Sequence, residues 1–166
     1  DIAVEAALTG HLLFSTLHTN DAAGTIARFS EMDVEPFMIS GSLVCVCAQR
    51  LMRRLCKNCK MEYEPDERES KLLELDSYDV DTLYKANPKG CEKCGNIGYK
   101  GRIGTHELLV VNDPLRDAIN EELSTDDIKQ VAIKEGGMTS LHKDSMLKVR
   151  QGITDMDEAL RTVKPD

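Results

Sequence analysis

Apolar and polar positions along the chain switch between a helical spacing and strand-like runs, and the switches predict its elements. Residues 2–8 (IAVEAAL) are good helix formers stopped by Gly10, which suits the left-handed position after a helix end. Residues 11–17 (HLLFSTL) form a short, mostly apolar run of the kind found in a buried parallel strand, and lead into the polar turn His18, Thr19, Asn20, Asp21. Asn20 or Asp21 can cap a helix reaching Phe29, with Ala22, Ala23, Ile26 and Ala27 on one face. Strand, loop and helix in that order predict an α/β unit. Pro36 suits a first helical turn, and residues 43–55 (LVCVCAQRLMRRL) continue into strand structure.

From residue 56 to about residue 99 the pattern dissolves into charged and turn-forming residues, helical only around residues 70–75. Residues 102–111 (RIGTHELLVV) return to strand character. Capping signals then recur at Asp113-Pro114, at Ser124 with Asp127, and at Thr154 with Asp157. Three or four short helices follow, with apolar faces at Leu115, Ala118 and Ile119, at Ile128, Val131 and Ala132, and at Met156, Ala159, Leu160 and Val163. The fold class is α/β, divided into residues 1–55, an inserted cysteine module at 56–97, and a return strand with a helical tail at 98–166.

Charge narrows the function classes. The formal net charge is -8 and the cations are scattered apart from Arg50, Arg53, Arg54 and Lys57, so a broad phosphate-neutralising face, and with it nucleic acid, is disfavoured. No stretch approaches the roughly 20 apolar residues that span a bilayer, and the first residues carry no secretory leader pattern. The expected location is the cytoplasm. Residues 2–8 are helix-like without a starting methionine or capping segment, which predicts an interior cut from a longer parent.

Six cysteines in a reducing compartment are metal ligands or core residues more often than disulfides. Cys56-Lys57-Asn58-Cys59 and Cys91-Glu92-Lys93-Cys94 are two Cys-x-x-Cys knuckles, each able to present two thiolates to one tetrahedral ion, with Gly90 and Gly95 supplying tight turns beside the second. Zinc is the natural occupant. Four thiolates leave no position for water, so such a site is structural, and its metal would supply folding energy that a core-poor segment lacks. An iron–sulfur cluster, two disulfides or a redox pair use the same residues. Cys45 and Cys47 alternate with Val44 and Val46 and read as small buried core residues.

His11 and His18 bracket the apolar run, and His18, Thr19 and Asn20 cluster where open α/β sheets place ligand loops. Imidazole, hydroxyl and amide can together donate hydrogen bonds to a terminal phosphate, although a histidine at a strand end is often only structural. His106 and His142 have no ligand-like neighbours and read as structural. Arg28, Arg50, Arg53, Arg54 and Arg102 are candidate interface or phosphate-facing cations among which the sequence does not choose, and solvated surface charge is the favoured reading for each.

The run Thr9-Gly10-His11 through Ser15-Thr16-Leu17-His18-Thr19-Asn20-Asp21-Ala22 closely resembles the histidine box of the secretion and type IV pilus ATPase superfamily. Ala48-Gln49-Arg50-Leu51 with Arg54-Leu55-Cys56, then Gly98-Tyr99-Lys100-Gly101-Arg102-Ile103-Gly104 with Glu107-Leu108-Leu109, and Gly137-Met138-Thr139-Ser140-Leu141, resemble that family in order along nearly the whole chain. The resemblance implies the carboxy-terminal part of a RecA-like nucleotide-binding domain with a zinc module. It implies a parent that is a homo-hexameric ATPase, peripheral to the inner membrane, working with ATP and magnesium on platform and anchoring proteins of a type II secretion or type IV pilus machine. His11 and His18 match the family's two box histidines, Thr19 and Asn20 lie beside them as candidate nucleotide-binding residues, and Cys56, Cys59, Cys91 and Cys94 match its zinc ligands. The retraction branch usually lacks the cysteine module and is disfavoured. The chain contains no Gly-x-x-x-x-Gly-Lys-Ser/Thr loop and no Walker B carboxylate ahead of the box, so by itself it is expected not to hydrolyse ATP. The competing reading is a non-catalytic zinc-ribbon module that binds a partner protein; a zinc-ribbon reader of nucleic acid is disfavoured by charge.

Overall fold

A computed structural model describes residues 2–78, 80 and 82–165. Its helices and strands follow most of the expected pattern. Helix α1 (Ile2–Leu8) ends before Gly10, whose φ of 92° lies in the left-handed region. Helix α2 (Ala23–Glu31) starts where Asp21 Oδ1 accepts the Gly24 N–H at 2.8 Å, so Asp21 does the work of a cap from just outside the helix. Helix α3 (Pro36–Ser42) has proline at its first turn. Strand β1 (Cys45–Leu55) and strand β4 (Tyr99–Val110) pair with each other; the Val111 N–H donates to Val44 O at 3.0 Å and the Cys56 N–H to Gly98 O at 2.9 Å. Between them, β2 (Met61–Tyr63) and β3 (Leu83–Lys85) form an antiparallel pair with Glu62 opposite Tyr84, and α4 (Glu67–Leu72) opens on an Asp66/Glu69 capping box. Four helices close the chain: α5 (Asp113–Asn120), α6 (Thr125–Lys134), α7 (Leu141–Arg150) and α8 (Met156–Thr162).

The backbone groups into two compact units, Asp1–Ala48 with His106–Ser140, and Gln49–Thr105 with Leu141–Asp166. These units cut across the three consecutive segments expected from composition, because α7 and α8 pack with the cysteine-bearing segment. In the first unit Ala23 and Ile26 of α2, Ile39 of α3, Leu115 and Ile119 of α5 and Ile128 and Ala132 of α6 share one core with Leu109 and Val111. The buried Glu107 carboxylate accepts the Ala22 N–H at 2.8 Å, fixing where α2 begins. In the second unit Met52, Leu73, Leu83, Met146, Val149, Met156 and Ala159 form the core.

Three sequence expectations are corrected. Residues 11–17 are not a buried parallel strand: the segment carries no strand pairing among the described residues, and Leu12 and Phe14 are 76% and 91% exposed. An apolar run becomes a strand only beside a hydrogen-bonding neighbour, and the two described sheets are β1 with β4 and β2 with β3. Cys45 and Cys47 are exposed, not core. Alternation along a strand fixes the two faces without saying which is inward, and here Val46 and Ala48 face the core of the first unit. The cap of α8 is Asp155, whose side chain accepts the Glu158 N–H; Thr154 instead donates its hydroxyl to Arg53 O at 2.9 Å.

Candidate functional site

The four module cysteines converge. Their Sγ atoms all lie within 4.8 Å of one another, with Cys56–Cys91 at 3.8 Å, Cys59–Cys94 at 3.9 Å and Cys91–Cys94 at 3.8 Å. A tetrahedron of sulfurs about 2.3 Å from a central ion has edges of about 3.8 Å, so the set is spaced to hold one metal ion. The separations are nearly twice a disulfide bond of about 2.05 Å.

Backbone turns make this spacing. The Lys60 N–H donates to Cys56 O at 2.9 Å and the Asn96 N–H to Cys91 O at 2.9 Å, giving two similar knuckles. Gly90 (φ 60°) permits the second one, since a Cβ there would lie 2.3 Å from the carbonyl carbon of Asn96. The base is tied to the helices that follow β4. The Leu55 N–H donates to Ile153 O at 2.8 Å, and Asp155 accepts both the Tyr99 hydroxyl at 2.7 Å and the Ala86 N–H at 3.0 Å.

The cage thiols differ in how readily they ionise. Burial opposes ionisation of Cys94, but N–H donors from Cys91, Gly98 and Ile97 outweigh it and bring the thiol down to about 6. Burial likewise opposes ionisation of Cys91, outweighed by the Asn58 amide and a Cys94 backbone donor, so that thiol is also lowered. Cys59 is pushed up to about 12 by burial and by its neighbouring sulfurs. Cys91 and Cys94 are thus eased towards thiolate and Cys59 is held back, and a divalent cation among the sulfurs would favour its thiolate.

Under the same base lies a carboxylate that sequence reasoning passed over. Glu158 is 1% exposed and accepts the Arg53 N–H at 2.8 Å, Arg53 Nη2 at 2.7 Å and Arg161 Nη2 at 2.7 Å. Arg53 is thus paired, not simply solvated, and its guanidinium also sits 4.0 Å from the Tyr99 ring centre. An i,i+3 Glu/Arg spacing was visible at 158 and 161, but nothing local points to residue 53.

In the first unit His18, Thr19 and Asn20 line an open groove together with Gly24, Arg28 and Thr125. His18 is exposed, whereas the Thr19 hydroxyl donates to Asp21 O at 3.0 Å and lies 3.0 Å from Thr25 Oγ1, so Thr19 braces the loop. His11 is not among the groove's lining residues; its Nδ1 is 3.2 Å from Thr9 Oγ1 and from Ala6 O, at the end of α1. The structure therefore brings together three of the four candidates named for this loop. Arg28, one of the arginines named from the sequence, lines the groove while paired with Glu31 at 2.7 Å, and Thr125 is a lining residue that sequence distance concealed.

The sequence matches the Type II/IV secretion system protein family over residues 1–161. The type IV pilus assembly ATPase PilB of Thermus thermophilus is 50% identical over 166 residues, covering 98% of this chain and 18% of that protein. The type II secretion system ATPase E of Vibrio cholerae is 47% identical over 165 residues, covering 98% of this chain and 32% of that protein. A type II secretion system protein E of Pseudomonas aeruginosa is 43% identical over 166 residues, covering 100% and 32%. The chain thus spans between about a fifth and a third of the length of these curated relatives. Among the described residues no helix is long and apolar enough to cross a membrane. With a family match over nearly its whole length, the chain belongs to the type II/IV secretion system protein family.

Proposed function

We propose that this chain is the carboxy-terminal region of a hexameric, cytoplasmic ATPase that drives type II secretion or type IV pilus assembly from the inner-membrane face. In this reading residues 1–55 complete a RecA-like nucleotide-binding domain, residues 56–97 are a structural zinc module, and residues 98–166 supply the return strand and helical tail. The names of its relatives support the class of machine. The observation that carries the nucleotide role is the groove, where exposed His18 stands beside Thr19 and Asn20 at the start of α2. An imidazole N–H there can donate to a terminal phosphate oxygen, Asn20 can add an amide donor, and Thr19 keeps the loop in shape. ATP and magnesium would supply the bond to be broken and its charge neutralisation; His18 would report whether the terminal phosphate is present. His11, held at the end of α1, is assigned to positioning the segment that carries His18.

Zinc is the metal assigned to the cysteine cage, because four sulfur donors in a tetrahedral spacing suit an ion with no preference beyond that geometry. It would fasten the knuckles and leave the chemistry to the nucleotide site.

The test uses the full-length ATPase. His18→Ala should lower kcat at least tenfold while nucleotide still binds, a loss of about 1.4 kcal/mol or more of transition-state stabilisation. Unchanged turnover would overturn the assignment of His18.

A further inference from the structure

Four cations meet in one hollow of the second unit. Arg54 and Lys57 come from the end of β1 and the first knuckle, Lys93 from inside the second Cys-x-x-Cys pair, and Lys100 from β4. With Leu55, the cage residue Cys56 and Asn58 they line an open depression of about 440 Å³ that has no carboxylate among its lining residues. Arg28, Arg53, Arg116, Lys148 and Arg161 each have a carboxylate partner, whereas these four side chains have none among the described residues. A chain of formal net charge -8 has therefore gathered uncompensated positive charge at one place.

The metal cage accounts for only part of it. A divalent ion on four thiolates carries two net negative charges, so two of the cations balance it and two remain over. Like charges lining a concavity raise one another's energy until an anion enters, and the low-dielectric walls strengthen that demand. The depression is of a size that accommodates several side chains, beyond a single small anion. Its shape also argues against a lipid surface. A bilayer-binding face presents exposed apolar residues for insertion, but the apolar residue here, Leu55, is buried and the cations surround a hollow.

We propose that this hollow docks an acidic segment of a partner protein, its carboxylates meeting Arg54, Lys57, Lys93 and Lys100 beside the metal knuckles. Arg54 is the residue able to grip a carboxylate with two parallel N–H donors, and the three lysines act as point charges around it. The docking is independent of the ATPase reading and requires only that the knuckles be held in place. Rim charges of this kind govern association rate and salt dependence, so binding should weaken as salt rises from about 50 to about 200 mM.

The experiment measures anisotropy of a fluorescein-labelled glutamate-rich peptide titrated with the zinc-loaded chain, with zinc content determined for every variant. Lys57→Glu with Lys93→Glu should weaken binding at least tenfold. Lys71→Glu with Lys134→Glu, an equal change of net charge at exposed positions elsewhere, should weaken it less than twofold. Should the first pair lose metal, Arg54→Gln with Lys100→Gln lies outside both Cys-x-x-Cys loops and should still weaken binding at least threefold. Equal losses in the hollow and control variants, or binding to phosphatidylglycerol vesicles with none to the peptide, would overturn the proposal.

Discussion

Replacing Glu158 tests whether the base of the cysteine module is fastened through one buried carboxylate. Its side chain is fully buried, while the Arg53 and Arg161 side chains that reach it are 46% and 62% exposed. The carboxylate accepts one backbone and four guanidinium hydrogen bonds. The guanidiniums can return to water when it is removed, so each ion pair counts for well under its buried value. The Arg53 N–H has no such freedom. Leaving it without an acceptor costs about 1–3 kcal/mol, and the charge-assisted bonds add about 1 kcal/mol after screening, so Glu158→Ala should cost about 3 kcal/mol. Glu158→Gln keeps one oxygen for the Arg53 N–H and should cost about 2 kcal/mol.

The acid dependence has a definite sign. Burial raises the Glu158 pKa, but Arg161 and Arg53 outweigh it and hold the carboxyl at about 2, below the ordinary value of about 4.3. A depressed folded-state value gives stability that is present above the unfolded value and is lost as pH falls from about 5 towards 2. After allowance for the exposed arginines, about 2 kcal/mol should disappear over that window. The assay has a built-in reporter. All four tyrosines, Tyr63, Tyr78, Tyr84 and Tyr99, lie in the second unit and the chain has no tryptophan, so tyrosine fluorescence during urea unfolding reads that unit alone. If Glu158→Ala and Glu158→Gln both cost less than about 0.5 kcal/mol, or keep their full deficit against wild type at pH 3, the reasoning fails.

Removing metal with a chelator, or replacing Cys59 by Ser, should unfold the tyrosine-reported unit while helical circular dichroism from the first unit survives; loss of both together would refute a local role for the cage. Gly90→Ala forces a Cβ against the Asn96 and Ile97 backbone and should lower zinc affinity at least tenfold, whereas Gly95→Ala, with open space around its Cβ, should cost only about 1 kcal/mol of positive-φ strain; competition with a chromophoric chelator reads both. The purified 166-residue chain should release no phosphate from ATP, and steady release would contradict the assignment of the phosphate-binding loop to another part of the parent.

Much of this architecture is written locally. Pro36, the Ser124/Asp127 cap and the apolar faces of α5, α6 and α8 each depend on residues within one or two turns, and each is observed. The cysteine cage was legible for a related reason, since two knuckles of fixed spacing need only one ion to join them. What escaped depends on long-range partners. The 11–17 segment has strand composition without a strand neighbour among the described residues, and Val-Cys-Val-Cys alternation is symmetric between faces, so it does not reveal that Cys45 and Cys47 face outward. Glu158 meets Arg53 across 105 positions, and the cationic hollow joins Arg54 and Lys57 to Lys93 and Lys100, which no local window contains. The grouping of residues 49–105 with 141–166 is likewise a matter of tertiary contact. The Asp66/Glu69 capping box was readable in principle but was hidden in a stretch of acidic residues.

Reading the genomic DNA upstream of Asp1 tests whether these residues form the histidine-box and metal-bearing region of a secretion or pilus ATPase. A Gly-x-x-x-x-Gly-Lys-Ser/Thr loop and an acidic Walker B strand are expected within roughly 150 codons. A start codon at the boundary would contradict that assignment and leave a metal-stabilised interaction module without a nucleotide to sense.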